Sequence, residues 1–111
     1  MTDAGSSYVK VWEFRAKHSK EKRFEKVYGP EGDWAQLMKK AEGYMSTQLL
    51  RDVVELDRYV TIDQWSSMAA YEKFMDDFRA EYQALDTDCE SLTEEENPVG
   101  SFRHVTRASR P

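Results

Sequence analysis

Glu13, Asp63 and His104 are the side chains of this sequence with types and placement suited to moving a proton, and Trp65 stands two positions beyond Asp63 on the same alternating set. All four fall in stretches that read as β-strands, where successive side chains point to opposite faces. A carboxylate on a strand with a covered face must be paired or must be used, because an unpaired buried charge is strongly unfavourable. Arg15 and Arg58 lie on the strands of Glu13 and Asp63, and Arg51 on the strand between those two in sequence. Two readings therefore stand. Either these charges pair with one another across strands or at a subunit seam, or Glu13 or Asp63 acts as a base while an arginine such as Arg58 holds an anion. His104, in the last strand, is the imidazole able to reach a pocket, whereas His18 falls in a turn and is expected to be exposed.

An aromatic molecule would need apolar walls around such a base. Tyr28, Trp34, Tyr44, Tyr59, Trp65 and Tyr82 could supply them, with Met75 and Phe78 on the same helical stripe as Tyr82. The alternative for each is ordinary packing in the core or at an interface. Three Trp, six Tyr and five Phe in 111 residues imply a heavily aromatic core, an aromatic-lined cavity or an adhesive surface.

Several classes of function are disfavoured by composition. Sixteen basic against twenty-one acidic residues give a net charge of −5, which opposes binding to a phosphate backbone, so no nucleic-acid partner is expected. No run of apolar residues is long enough to span a bilayer, and MTDAGSSY lacks a basic or apolar leader. The expectation is a soluble cytoplasmic protein with no membrane partner. Cys89 is the single cysteine, so no internal disulfide forms, and no Cys/His spacing suggests a metal site.

The elements that must position these residues follow from periodicity. Residues 1–7 read as a disordered start, 8–106 as one domain and 107–111 as a flexible tail. Tyr8 to Ala16 alternates as a first strand. Ser19 is placed to cap a helix carrying Phe24, Val27 and Tyr28, which Gly29-Pro30 interrupts; Asp33 is placed to cap a second short helix carrying Trp34, Leu37, Met38 and Ala41. Tyr44 to Arg51 and Arg58 to Trp65 form a hairpin across a short loop. From about Met68 a helix runs to about Ala84, with Tyr71, Phe74, Met75, Phe78, Tyr82 and Leu85 on one face. TEEE at residues 93–96 has the form of a capping box opening a short helical turn, and Gly100 to Thr106 reads as the last strand.

Strand, helix, strand, strand, helix, strand is the split βαβ order of an α+β, ferredoxin-like fold: a four-stranded antiparallel sheet with helices on one face. Both alternating sets of the strands carry bulky apolar residues, so the open face should be covered by a second copy. A homodimer is the expectation.

Five segments carry a resemblance: VWEFRAK at 11–17, KVYGPEGDWAQLMKKAEGYMSTQLLRD at 26–52, RYVTIDQWSSMAAYEKF at 58–74, EYQALD at 81–86 and LTEEENPVGSF at 92–102. Together they resemble the antibiotic biosynthesis monooxygenase domain family of dimeric α/β barrel proteins. The resemblance implies one of three functions: cofactor-independent oxygenation of a planar aromatic or quinol-type molecule, heme degradation, or a non-catalytic dimeric module that binds a small molecule or serves as a scaffold. The family's heme degraders use an Asn on the first strand, a Trp ending the third and a His on the second helix. Trp65 matches the Trp, Glu13 stands at the Asn position and Met75 near the His position, and the helix after Trp65 contains no His. The missing His counts against heme degradation and, with no metal cluster and no nucleophile–base pair, favours the non-catalytic module, whereas the abundance of aromatic residues favours the oxygenase; both stay open, with no cofactor and no metal expected. With the residues read from the strands and helices above, the candidates are Trp65, Glu13, Asp63 and His104 for chemistry, and Tyr28, Trp34, Tyr44, Arg58, Tyr59, Met75, Phe78 and Tyr82 for binding.

Overall fold

The computed structural model describes residues 7–105. Of the expected disordered start only Ser7 is among them, and the expected tail at 107–111 lies outside. The sheet has strand order β2-β3-β1-β4, formed by β1 (Tyr8–Ala16), β2 (Tyr44–Arg51), β3 (Arg58–Trp65) and β4 (Thr93–Phe102), with every neighbouring pair antiparallel. Helices α1 (Glu21–Tyr28), α2 (Asp33–Met38), α3 (Met68–Asp77) and α4 (Arg79–Cys89) complete the chain, and a short 3₁₀ turn at Glu90–Leu92 leads into β4.

The expected α+β architecture is present, and four local expectations change. Ser19 takes a positive φ of 68° instead of capping α1, which starts at Glu21 with Lys20 before it and no side-chain cap. Asp33 lies inside the first turn of α2, where its charge suits the positive end of the helix dipole, and Gly32 holds the capping position. The long second helix bends at Phe78 (φ −117°, ψ 25°) and divides into α3 and α4. Its hydrogen-bond ladder persists across the bend, with Phe78 N–H donating to Phe74 O at 2.9 Å and Tyr82 N–H to Phe78 O at 2.8 Å.

The fourth change is the largest. Thr93 to Glu96 are strand, not helical turn, and the strand ends at Phe102. The open edge of β1 offers a row of backbone partners to this segment, and those long-range bonds outweigh the local preference of TEEE. Pro98 is tolerated because β4 is an edge strand and a register shift lies between Val11 and Trp12, opposite it.

The start of α3 is fixed by two devices. Ser67 Oγ accepts a hydrogen bond from Ala70 N–H at 3.0 Å, as a serine at a helix N-cap does. Gly43, at φ +92°, then seats the start of β2 against the same turn: Ser66 N–H donates to Gly43 O at 2.7 Å, and a Cβ on Gly43 would lie 2.5 Å from Ala70 Cβ. Gly43→Ala is therefore expected to cost roughly 1–3 kcal/mol, read as a lower urea midpoint with an unchanged slope.

Packing divides between the two ends of the sheet. At one end Phe14, Phe24, Tyr28, Tyr59, Cys89 and Leu92 form a core; at the other Trp65, Phe74, Leu37 and Met38 form a second. The face away from the helices carries half-buried Val9, Val11, Val60 and Ile62, with Leu50 and Phe102 about half exposed. No helix among the described residues is long and apolar enough to cross a membrane.

Candidate active site

A cavity of about 280 Å³ lies between the helices and the sheet, bridging the two cores. Asp63 and Trp65 reach it from β3, Lys10 and Trp12 from β1, and Thr47 from β2. Alternation explains the placement. Asp63 and Lys10 are register partners on β3 and β1, as are Thr61 and Trp12, and all four point to the helix-covered side. The roof comes from the helices: Tyr28, Trp34, Tyr71, Phe74 and Tyr82.

Asp63 is the chemical centre of this space. Thr47 Oγ1 donates to Asp63 Oδ1 at 2.7 Å, and Tyr44 Oη lies 2.8 Å from Thr47 Oγ1. Because Thr47 spends its proton on the carboxylate, Tyr44 is the donor to Thr47, and a relay runs Tyr44 to Thr47 to Asp63. Burial pushes the Asp63 carboxyl up to about 6, while the Thr47 hydrogen bond pulls the other way. Such a carboxylate accepts a proton near neutral pH far better than an ordinary aspartate.

Trp65 is fully buried, packed against Tyr44, Tyr71 and Phe74 at ring separations of 5.6, 5.6 and 5.1 Å. Its Nε1 has no hydrogen-bond partner, and neither has that of Trp34. Burial pushes the Tyr28 hydroxyl and the Cys89 thiol up, and Trp34, beside both, pulls each back down. Buried donors without acceptors are rare in folded proteins. Among the described residues Lys10 is the one cation on the cavity wall. Its Nζ donates to Ser101 Oγ at 3.0 Å and lies 5.0 Å from the centre of the Tyr71 ring.

Of the residues expected from sequence, the cavity gathers Asp63, Trp65, Tyr28, Trp34 and Tyr82, with Tyr44 one hydrogen bond behind. The others lie elsewhere. Glu13 and Arg58 form an ion pair on the open face, extended by Arg58 Nη1 to Asp52 at 2.9 Å. The Asp52 carboxyl is held down at about 2 by the Val54 and Glu55 backbone N–H groups and then by Arg58. Tyr59 is buried in the first core and donates to Glu25 at 2.6 Å. Met75 and Phe78 pack against the second core without lining the cavity. His104 is exposed beyond β4, its Nδ1 2.9 Å from Ser7 Oγ. Among the described residues no cluster of His, Cys, Asp and Glu is arranged to hold a metal ion.

Lys10, Thr47, Asp86 and Glu96 also line the cavity and were not expected to. Lys10 had a signal, a lone ammonium inside the otherwise aromatic set Tyr8, Trp12 and Phe14. Asp86 had a weaker one, a carboxylate one helical turn after Tyr82.

The family model for antibiotic biosynthesis monooxygenase matches residues 7–85. Among solved structures the chain is similar to SnoaB, a cofactor-independent oxygenase from Streptomyces nogalater. A point variant of that protein has 18% identity and a TM-score of 0.78, covering 95% of this chain and 99% of the other; SnoaB itself has 19% identity and a TM-score of 0.75 over the same shares. A Pseudomonas aeruginosa protein is similar at 13% identity and a TM-score of 0.68, covering 95% of this chain and 100% of its own. No curated protein matches the chain in sequence.

Proposed function

The chain belongs to the antibiotic biosynthesis monooxygenase family, and from that premise we propose that it is a cofactor-independent monooxygenase of planar phenols and quinols. The observation that carries this reading is Asp63: a carboxylate titrating at about 6, in an aromatic cavity, with Thr47 as its hydrogen-bond partner. It takes the phenol proton. The resulting phenolate gives up an electron to dioxygen more readily than the phenol does, and the flanking rings hold the planar substrate against the base. Lys10 supplies positive charge where superoxide would form. Trp65 Nε1 donates to an oxygen on the substrate ring. For a phenol with a free para position the balance closes without a reductant: the ring loses two hydrogens, gains one oxygen as a quinone carbonyl, and the second oxygen leaves as water.

The test is turnover of naphthols under labelled dioxygen with no flavin, heme or metal added. One labelled oxygen per quinone, with one dioxygen consumed, is the expected result. Label drawn from water, or binding without any dioxygen uptake across the series, overturns the oxygenase and leaves a binding module.

A second copy completes the particle in this reading, covering Val9, Val11, Val60 and Ile62 on the open face of the sheet. Light scattering at micromolar concentration should give twice the chain mass of 13.0 kDa. A mass near that of one chain overturns the dimer.

A further inference from the structure

A β-bulge near the start of β2 aims one side chain at another. Tyr44 pairs with Trp65 and Ser46 with Gln64, which leaves Met45 unmatched in the register. On an unbroken strand Tyr44 and Thr47, three positions apart, would point to opposite faces of the sheet. The extra residue brings them to the same side, with Tyr44 Oη 2.8 Å from Thr47 Oγ1. Met45 itself is 55% exposed, so burial of its side chain is not what the bulge achieves.

Thr47 is the cross-strand partner of Asp63, Asp63 of Lys10, and Lys10 of Ser101, so one row of polar side chains crosses all four strands. The row is bonded in two halves. Thr47 Oγ1 donates to Asp63 Oδ1 at 2.7 Å, while Lys10 turns its Nζ to Ser101 Oγ at 3.0 Å. An ionised carboxylate only accepts, so the direction of the first half is set: Tyr44 donates to Thr47, and Thr47 to Asp63. Thr47 is buried, which makes a lost partner there costly. With Oδ1 engaged, Oδ2 is the oxygen that Asp63 has left for a proton arriving from the cavity it lines.

Building on Asp63 as the base of the oxygenase, we propose that Thr47, aimed by Tyr44 and the bulge, is the positioning residue of this site: it ties down Oδ1 and leaves Oδ2 to take the phenol proton. The phenol O–H bond breaks, an O–H bond forms on Oδ2, and the electron pair stays on the phenolate oxygen. Thr47 keeps its own proton throughout, and it bonds the charged carboxylate more strongly than the neutral one. Burial raises the Asp63 carboxyl to about 6, and Thr47 opposes that rise.

Other titratable groups meet Asp63 on the cavity wall: Lys10 from β1, Tyr71 from α3, Tyr82 and Asp86 from α4, Glu96 from β4 and Tyr28 from α1. The hydroxyls of Tyr28, Tyr44, Tyr71 and Tyr82 are all raised, by burial first, and stay neutral where Asp63 titrates. Glu96 is raised as well, by burial and then by Asp86 and Glu90. A rate profile alone would mix its titration with that of Asp63, so the carboxyl must be read by itself.

An NMR titration of carboxyl carbons in the free protein does this, the Asp63 signal being identified by its loss in Asp63→Asn. Thr47→Val keeps the shape and removes the hydroxyl; the Asp63 midpoint should rise by about one pH unit, an acid about tenfold weaker. Thr47→Ser restores the donor and should leave the midpoint in place. Tyr44→Phe keeps the ring against Trp65 and should raise the midpoint by less, which keeps the proposal testable should Thr47→Val not fold. With naphthols, kcat/KM of Thr47→Val should fall about 5- to 10-fold near pH 6 and recover above about pH 8, whereas Thr47→Ser follows the parent. An unmoved midpoint in Thr47→Val with turnover intact in the parent overturns Thr47 alone, and so does a rate loss equal at every pH. A midpoint unmoved in Tyr44→Phe overturns the part given to Tyr44. No turnover of naphthols by the unaltered protein overturns the base role together with the oxygenase.

Discussion

Asp63→Asn should abolish most turnover, by about 10²- to 10⁴-fold in kcat, the usual contribution of a positioned base, and should make the protein more stable at neutral pH. Both effects come from a carboxyl buried in an aromatic cavity and raised from 3.8 to about 6. The folded-state value lies above the unfolded one, so the charged form is the less favourable one in the fold. The contribution of Asp63 to stability is therefore least unfavourable below about pH 4, worsens between about 4 and 6, and carries the full cost above that. A shift of about two units corresponds to about 3 kcal/mol. An asparagine has no charge to bury. The variant should gain up to that amount in urea unfolding at pH 8 and almost nothing at pH 3. In the unaltered protein kcat/KM should rise with pH and level off above about 6, and the variant should lose that rise. A variant that keeps full turnover, or that is destabilised at pH 8, would show that Asp63 is a structural residue.

For Trp65 the two substitutions to compare are Ala and Phe. Trp65→Ala should cost roughly 3–5 kcal/mol, since the ring is fully buried among Tyr44, Tyr71 and Phe74 and little around it can collapse. Trp65→Phe keeps a ring there and removes an N–H that has no partner in the free protein. Relief of that unpaired donor is worth about 1–3 kcal/mol and offsets most of the lost volume. Stability should therefore change little, while affinity for a phenolic ligand falls about 10-fold, the loss of one hydrogen bond. If Trp65→Phe binds ligand as tightly as the parent, Trp65 serves packing alone.

The fold could be read from sequence because its cues are local. The alternation of Tyr8 to Ala16 and Arg58 to Trp65, the Gly29-Pro30 interruption and the Ser67 cap each act within a few residues. Where the reading failed, distant partners decided. TEEE has the form of a helix cap, yet Thr93 to Glu96 pair with Ala16 to Phe14 because β1 has an open edge. Phe78 sits in a continuous helical period, and nothing in its neighbours announces the bend.

The site was legible in part for the same reason. Face assignment along β3 correctly put Asp63 and Trp65 together and separated them from Arg58. It could not say which face the helices cover, so Glu13 on the open side stood equal to Asp63 until the layers were known. Thr47 and Glu96 escaped notice because each becomes part of the site through strand pairing, and a β-strand does not reveal its neighbours in its own composition.

The outer edge of β4 has a consequence of a different kind. A sheet with an uncovered apolar face and two free edges is a template for amyloid-like stacking, one edge recruiting the next. On β4 that route is obstructed: Pro98 has no N–H to offer, the register shift opposite it kinks the strand, and Glu94, Glu95 and Glu96 repel an identical strand laid alongside. On that side association is left to the face of the sheet, where the proposed second copy, related by a twofold axis, would cover the apolar residues. The glutamates and the proline thus close one of the two sheet edges to strand addition.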